Sequence, residues 1–583
     1  MESLAFGTNF DNFRLVAAGV HLADNKLISD EAFALSGEQS ETGKRMAYNQ
    51  TWENITNTMN ENFAAGANRL IFHGTSYDYS NAATGDSAIQ ANQWPGWHAF
   101  MNLVTETWNH RMPYWEDMDT IADYIARTEA VLQNGTPAMD VLVYSLTSYD
   151  HETRSRTGDN SSFTGMLDAG YSYDVVMTDG LSLAAQALAD EPEMYKAVVV
   201  NDLKAATAQS MQELLTLAQG GMPIVFYKSV PVAASGKADT DAEIQALTDD
   251  IFASGNAQFA ASQVGVVEAL RSFGVEPYAQ YEQAYLRSLC KKDGDGVTYY
   301  FFYNHNESPI AAEVYLQGTG TPFRLDAWSG EISPIAGYAA GEDGIVTTLR
   351  LDARDTAIIA VTPETAAFGN PVDNPIVSAN AEAVVVDGAA KLRAEQSGTV
   401  TAEYADGGTL EAEAVVPAPI DLDTCRLVIN SWGPDETTES SIDTAITVLD
   451  IGQTALLPWN ELAVSAGQLA NAGVESMDFV SGTAQYTFQA NLTAMDGAYL
   501  ELEHGEDMVT EILVNGTSLG PINQAVDRFD LGSLLVQGEN TIEIRLASTL
   551  INRVIAEHSR FSDFDHATYG ITAAKIVPYA LVG

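Results

Sequence analysis

The 583-residue sequence is short of positive charge: 28 Lys and Arg stand against 79 Asp and Glu, a formal net charge of −51. A polyanion is repelled by such a field, and no basic stripe overrides it locally, which argues against nucleic acid as a partner. An anionic membrane surface is disfavoured on the same ground. Cysteine is nearly absent. Cys290 and Cys425 are far apart and lack any CxxC-type spacing, so neither a disulfide framework nor a zinc site is indicated, and two free thiols are expected. No apolar run reaches the ~18 residues of a membrane-spanning helix. The first residues, MESLAFGTNFDNFRL, contain neither a basic n-region nor an apolar h-region, so no signal peptide is visible.

Several chemical signatures are missing as well. Neither GxGxxG nor GxxxxGK[ST] occurs, so no nucleotide or flavin is expected. Asp293-Gly-Asp-Gly296 lacks the spaced oxygen ligands and terminal Glu of a calcium loop and reads as a hairpin turn.

What is present suits a folded, multidomain chain. Hydrophobic residues make up 46% and charged residues 18%, so the acidity reflects a shortage of Lys and Arg rather than a disordered acidic tail. At roughly 150 residues per domain the length predicts about four domains. In residues 1–137, the stretch from Asp24 to Phe33 reads as a short buried strand ending in a carboxylate. A helix over Trp52–Ala65 carries Ile55, Met59 and Phe63 at spacings of four, and a strand from Asn68 to His73 runs into Gly74. Strand, helix, strand is parallel β/α architecture, in which the strand C-termini carry the chemistry. A further helix runs from Asp119 to the stop signal Asn134-Gly135. Residues 138–290 alternate strands (Met139–Tyr144, Tyr173–Met177, Tyr195–Val200, Met222–Tyr227) with helix, as in an open α/β domain. Period-two patterns over 291–365 predict a small antiparallel β-sandwich. Prolines at 363, 371 and 375 mark 366–380 as a linker, and 381–583 reads as a second β-sandwich.

The candidate chemistry lies in the first segment. A Glu at the C-terminal end of a buried parallel strand, as Glu31 is predicted to be, can be partly desolvated and tuned as a general acid or base; the alternative is an exposed loop acid. A neutral His73 at the next strand end could bond a sugar hydroxyl, or be satisfied by nearby backbone. Trp94, Trp97, Trp108, Tyr114 and Trp115, with Tyr77 and Tyr79 upstream, cluster within about 40 residues. Aromatic faces stack on pyranose C–H faces, so a Trp- and Tyr-lined cleft with one or two carboxylates suits a neutral carbohydrate; the alternative is packing between loops and helices.

In order and content these segments resemble glycoside hydrolase family 106, the α-L-rhamnosidases. The resemblance is carried by His21, Asp30-Glu31-Ala32-Phe33, Phe63-Ala-Ala-Gly66-Ala-Asn68-Arg69 and Phe72-His73-Gly74. It continues through Pro95-Gly96-Trp97, Pro113-Tyr-Trp115, Asp123-Tyr-Ile-Ala-Arg127 and the Tyr171–Asp174 unit. Toward the other end, Ser431-Trp432, Ser481–Tyr486, Val514-Asn515-Gly516 and Gly538-Glu539-Asn540 look like the galactose-binding-like jelly roll of family 2 glycosidases. The resemblance implies a multidomain α/β plus all-β chain. Its parts would be the C-terminal portion of a (β/α)8 catalytic barrel, a structural flavodoxin- or amidotransferase-like domain, and two β-sandwich domains. It implies an inverting hydrolase with Glu31 as general base, His73 in the substrate pocket, and Trp97 and Trp115 in cleft-lining segments. Calcium and an extracytoplasmic location are implied in the same way. A closed barrel takes about 250 residues, so the resemblance also leads us to expect that the general acid lies in an N-terminal portion outside this sequence or in a partner chain, or that the barrel has degenerated. The second reading is a non-catalytic carbohydrate-binding or assembly protein built from the same domains.

Overall fold

A computed structural model describes residues 2–3, 10–33, 48–75, 93–96, 107–146, 163–190, 194–435 and 442–583. It combines helices with several many-stranded sheets. The N-terminal part is a parallel sheet of three strands, β1 (Glu2–Ser3), β2 (Ser29–Ala32) and β3 (Arg69–Phe72), in that order. Two helices connect them, α1 (Phe10–Leu22) and α2 (Trp52–Ala64). Thr51 caps α2 by accepting from the Asn54 N–H, 3.2 Å away, and Trp52, Ile55, Met59 and Phe63 form its fully buried stripe. Helix α3 (Met118–Leu132) follows, burying Ile121, Tyr124, Thr128 and Leu132.

These helices tie the small sheet to the rest of the molecule. Phe63 meets Phe301 edge-on at 6.2 Å. Tyr124 stacks on Trp328 at 4.1 Å, and its hydroxyl donates to Asn60 Oδ1, 2.5 Å away. Gly135 ends α3 at φ +68°, where a Cβ would fall 2.3 Å from the Lys292 carbonyl oxygen, so only glycine fits both the turn and the approach.

The next sheet is parallel, with strands β4 (Val141–Ser145), β5 (Tyr173–Val176), β6 (Ala197–Asn201), β7 (Ile224–Tyr227) and β8 (Ala257–Ala260) in the order β8-β7-β6-β4-β5. The four strands β4–β7 are buried along their whole length, as expected for a sheet covered on both faces. Helix α1 packs here rather than against its own sheet alone: Phe10 lies 5.8 Å from Tyr173, and Phe10, Phe13 and the β4–β7 side chains share one core.

The remainder is antiparallel. Strands 279–280, 310–317, 344–351 and 338–340 form one sheet of the small β unit, and 332–334, 321–325, 356–362, 298–304 and 286–292 form the other. Three sequence boundaries shift. Thr136–Pro137, placed with the first segment, pairs with Lys291–Lys292. Residues 279–292, placed in the α/β segment, belong to the small β unit's sheets, and the α/β helices end at Ser272. The segment 366–380 is not all linker, because Ile376–Ala379 pairs with Gly398–Tyr404. Its prolines stop short of the strand apart from Pro375, which directly precedes it. The C-terminal part faces a six-stranded sheet (444–455, 424–434, 482–492, 538–548, 507–514, 517–518) against one built on 571–582 and 497–504. The Asn515 and Asn540 motifs prove to be its internal fastening: Asn515 Nδ2 donates to Asn540 Oδ1 at 2.9 Å, and Asn540 Nδ2 to the Val536 carbonyl at 2.7 Å.

Candidate functional site

Strand period two sorts the site residues. Asp30 and Ala32 of β2 are buried and face the helices, and Asn62 of α2 donates to Asp30 Oδ2 at 2.8 Å. Ser29 and Glu31 point to the opposite face, as do their register partners Arg69 and Ile71 on β3. That face is open: Ile71 is 46% exposed and the Glu31 side chain 51%. Of the two readings open for Glu31, a partly desolvated carboxylate and an exposed acid, the structure shows the exposed one. Its strand is buried on one face only, and Glu31 is on the other. The open edge of β3 is met by α3, where Glu129 Oε1 accepts from the Leu70 N–H at 2.6 Å. Burial pushes the Glu129 carboxyl up, with that bond and Arg69 pulling the other way.

The structure brings Glu31 and His73 together. His73 follows β3, its N–H donating to the Ala32 carbonyl at 2.9 Å, and its Nε2 stands 3.9 Å from Glu31 Oε1. Beneath them lies an aromatic knot. Phe33, fully buried at φ +67°, sits 4.8 Å from Phe72, and Phe72 sits 5.0 Å from Trp108. Trp108 Nε1 donates to the His73 carbonyl at 3.1 Å, and Tyr114 bridges Trp108 to Trp52 of α2. A non-glycine residue at positive φ two residues past a candidate carboxylate is backbone strain held in place by packing.

The other sequence candidates divide. Trp94 is buried, with its Nε1 donating to Thr444 Oγ1 at 3.0 Å and its carbonyl accepting from His558 Nε2 at 2.6 Å. Its role is packing against the C-terminal sandwich, the alternative that any single Trp left open. Trp115 remains 37% exposed at the turn into α3. The neighbouring Glu116 and Asp117 reach Arg545 of the C-terminal sandwich at 3.2 and 3.7 Å. Tyr77 and Trp97 lie outside the described residues.

Sequence reasoning missed a buried cluster behind the site. Asp174 of β5, fully buried, accepts from Arg14 and from Tyr195 Oη at 2.7 Å, and pairs with His21 Nδ1 at 2.7 Å. Burial pushes the Asp174 carboxyl up, yet Arg14 and His21 together hold it well below the usual carboxylate range. The signal was available: one Arg interrupts the apolar face Phe10, Phe13, Ala17 of α1, with His21 two turns further on.

A family model described as alpha-L-rhamnosidase, glycoside hydrolase family 106, matches residues 12–339, more than half of the chain. Among solved structures, the rhamnosidase from Novosphingobium sp. PP1Y is similar over 97% of this chain and 49% of its own, with 18% identity and a TM-score of 0.60. At that identity the likeness is one of fold, and this chain spans about half the length of that protein. A β-galactosidase from Rahnella sp. R3 shares 11% identity over 61% of this chain and 57% of its own, at a TM-score of 0.36, too slight to bear on the site. No curated protein matches.

Proposed function

Because the chain belongs to glycoside hydrolase family 106, the α-L-rhamnosidases, we propose that it serves hydrolysis of a terminal α-L-rhamnosyl residue from a glycan or glycoside, with Glu31 as general base. The family match over residues 12–339, which includes Glu31 and His73, carries this reading. In inversion one carboxyl protonates the glycosidic oxygen while another, about 6.5–9.5 Å away, takes a proton from the attacking water. Glu31 suits the second role: it is half-exposed, at a parallel strand end, with an imidazole 3.9 Å away to orient the same water.

We read the three-stranded sheet as part of a (β/α)8 barrel, the five-stranded sheet as flavodoxin-like, and the C-terminal pair of sheets as galactose-binding-like. The exposed face bearing Glu31 and Ile71 supports the first of these. In a closed barrel that face lines the interior, and further strands would cover it. We assign the general acid to those further strands, whether they come from the same protein or a partner. A neutral glycan agrees with the net charge of −51, and an extracytoplasmic location with the family. No helix among the described residues is long and apolar enough to cross a membrane. Calcium is read from the family alone, its ligands assigned to those further strands; among the described residues no three His, Cys, Asp or Glu side chains converge to hold an ion.

The test is turnover of an aryl α-L-rhamnoside by the protein carrying the further strands, wild type against Glu31→Gln. Loss of turnover with binding retained supports the assignment. Near-normal turnover removes it, and absence of rhamnosidase activity in the wild type removes the reaction.

A further inference from the structure

A cavity of about 750 Å³ opens where the small β unit meets the C-terminal sandwich, and none of its lining residues comes from the segment bearing Glu31. That volume is in the range of small-molecule sites, roughly 300–1,000 Å³. Its floor is apolar, made by Leu422, Leu456, Leu502 and Val526. Its rim mixes acceptors with donors. Asp352, Asp423 and Glu503 form no salt bridge among the described residues, whereas Arg528 and Lys575 bring positive charge and Thr572 a hydroxyl.

The charges of the rim decide what can enter. Of the other carboxylates, Glu501 is answered by Arg528 at 3.1 Å, Asp421 by Lys575 at 3.7 Å, and Asp527 by His504 at 3.2 Å. Arg528 is held flat by Tyr499, 3.7 Å beneath it, and by Glu395 at 2.8 Å. An anion entering here would meet Asp352, Asp423 and Glu503, which form no salt bridge among the described residues, and a cation would pass Arg528 and Lys575, whose charges are already shared with Glu395, Glu501 and Asp421 and so bar it less. A neutral hydroxylated ring meets neither penalty. Its O–H groups can donate to the carboxylates, its oxygens can accept from the guanidinium and ammonium, and its C–H face can rest on the leucines. Asp352 is already partly desolvated, burial pushing its carboxyl up against the pull of Arg528 and Arg324. A donated hydroxyl would compensate it.

We propose that this cavity is a second sugar-binding site, taking one neutral monosaccharide unit of a glycan away from the hydrolytic residues. The choice of a rhamnose-containing glycan rests on the glycosidase reading, while the neutral polyol chemistry rests on the cavity itself. Such a site would hold a polymeric substrate on the enzyme between cleavages.

The test is saturation-transfer NMR and calorimetry on the full 583-residue chain with L-rhamnose and methyl α-L-rhamnoside. Saturable binding in the millimolar range is expected, unchanged in Glu31→Gln and weakened about tenfold or more in Asp352→Asn and in the exposed-site variant Glu503→Gln. Leu456→Trp, which fills the floor, should abolish it, with circular dichroism confirming the fold of each variant. Three results overturn the proposal: no saturable sugar binding, binding lost in Glu31→Gln but kept in Asp352→Asn, or benzyltrimethylammonium binding more tightly than either sugar. Rhamnoside turnover is measured separately, so a failed hydrolytic assignment and a failed cavity assignment give different outcomes.

Discussion

Glu31 and His73 face each other across the ends of two neighbouring parallel strands, Oε1 to Nε2 at 3.9 Å. The gap is too long for a direct hydrogen bond and short enough for one water to reach both groups. Glu31→Gln keeps the shape and removes the proposed base. It is expected to lower kcat by about 100- to 10,000-fold, with KM nearly unchanged. His73→Ala should cost less, about tenfold, since it removes an orienting group. Steady-state kinetics on an aryl α-L-rhamnoside, with the protein carrying the further strands, decide both values, and equal losses in the two variants would contradict the proposed division of roles.

Trp108 supplies the only indole N–H donated to the His73 carbonyl among the described contacts. Trp108→Phe keeps a ring over Phe72 but deletes that donor, and should lower stability by about 1 kcal/mol. Trp108→Leu also removes the aromatic packing and should cost about 2–4 kcal/mol. Urea denaturation of the two variants checks the ordering. If Phe and Leu cost the same, the aromatic packing over Phe72 adds nothing beyond the lost donor.

Asp174 answers a buried Arg14, so Asp174→Asn leaves an uncompensated guanidinium and is expected to cost about 3–5 kcal/mol. The pH dependence has a definite sign. The folded carboxyl titrates below its unfolded value of about 3.9, so its contribution is fully present above that pH and is lost as pH falls below it. Wild type should therefore lose stability below about pH 4 more steeply than Asp174→Asn does. Parallel acid limbs in denaturation would contradict this.

His504 runs in the opposite direction. Burial alone would lower it, but Asp507 at 2.7 Å and Asp527 at 3.2 Å raise it to about 10. A raised folded value stabilises fully below the unfolded value of about 6.5 and is lost as pH climbs toward 10. His504→Gln should thus be most costly near neutral pH and below, and approach wild-type stability in alkaline solution. Thermal unfolding between pH 6 and 10 reads this directly; a cost independent of pH would mean that the imidazole acts by packing alone.

Local patterns revealed much of this arrangement. The apolar spacing of Ile55, Met59 and Phe63 marked α2, Asn134-Gly135 marked the end of α3, and continuous apolar runs marked β4 to β7. Glu31 and His73 were visible because each closes a short strand. Their mutual distance was not, since register between strands depends on packing that one sequence does not print. Whether an aromatic residue lines a cleft or a core was equally hidden: Trp94 and Trp115 have similar loop contexts, yet one is buried against Thr444 and the other half-open. Helix α1 went unread because its apolar face is interrupted by Arg14, a residue that makes sense only beside Asp174, 160 positions away. The strand at Ile376 was masked by prolines, which signal a linker unless an edge strand begins just after one.

Helix α1 delivers the chain to β2, yet its charged face is locked into the five-stranded sheet by Arg14 and His21. Cutting between residues 137 and 138, where sequence patterns place a boundary, would leave two basic side chains facing solvent with no acid, and Asp174 buried alone. The practical unit for recombination or grafting is then the strands bearing Glu31 and His73 together with the five-stranded sheet. A chimera that swaps one without the other should fail at this seam before any question of substrate arises.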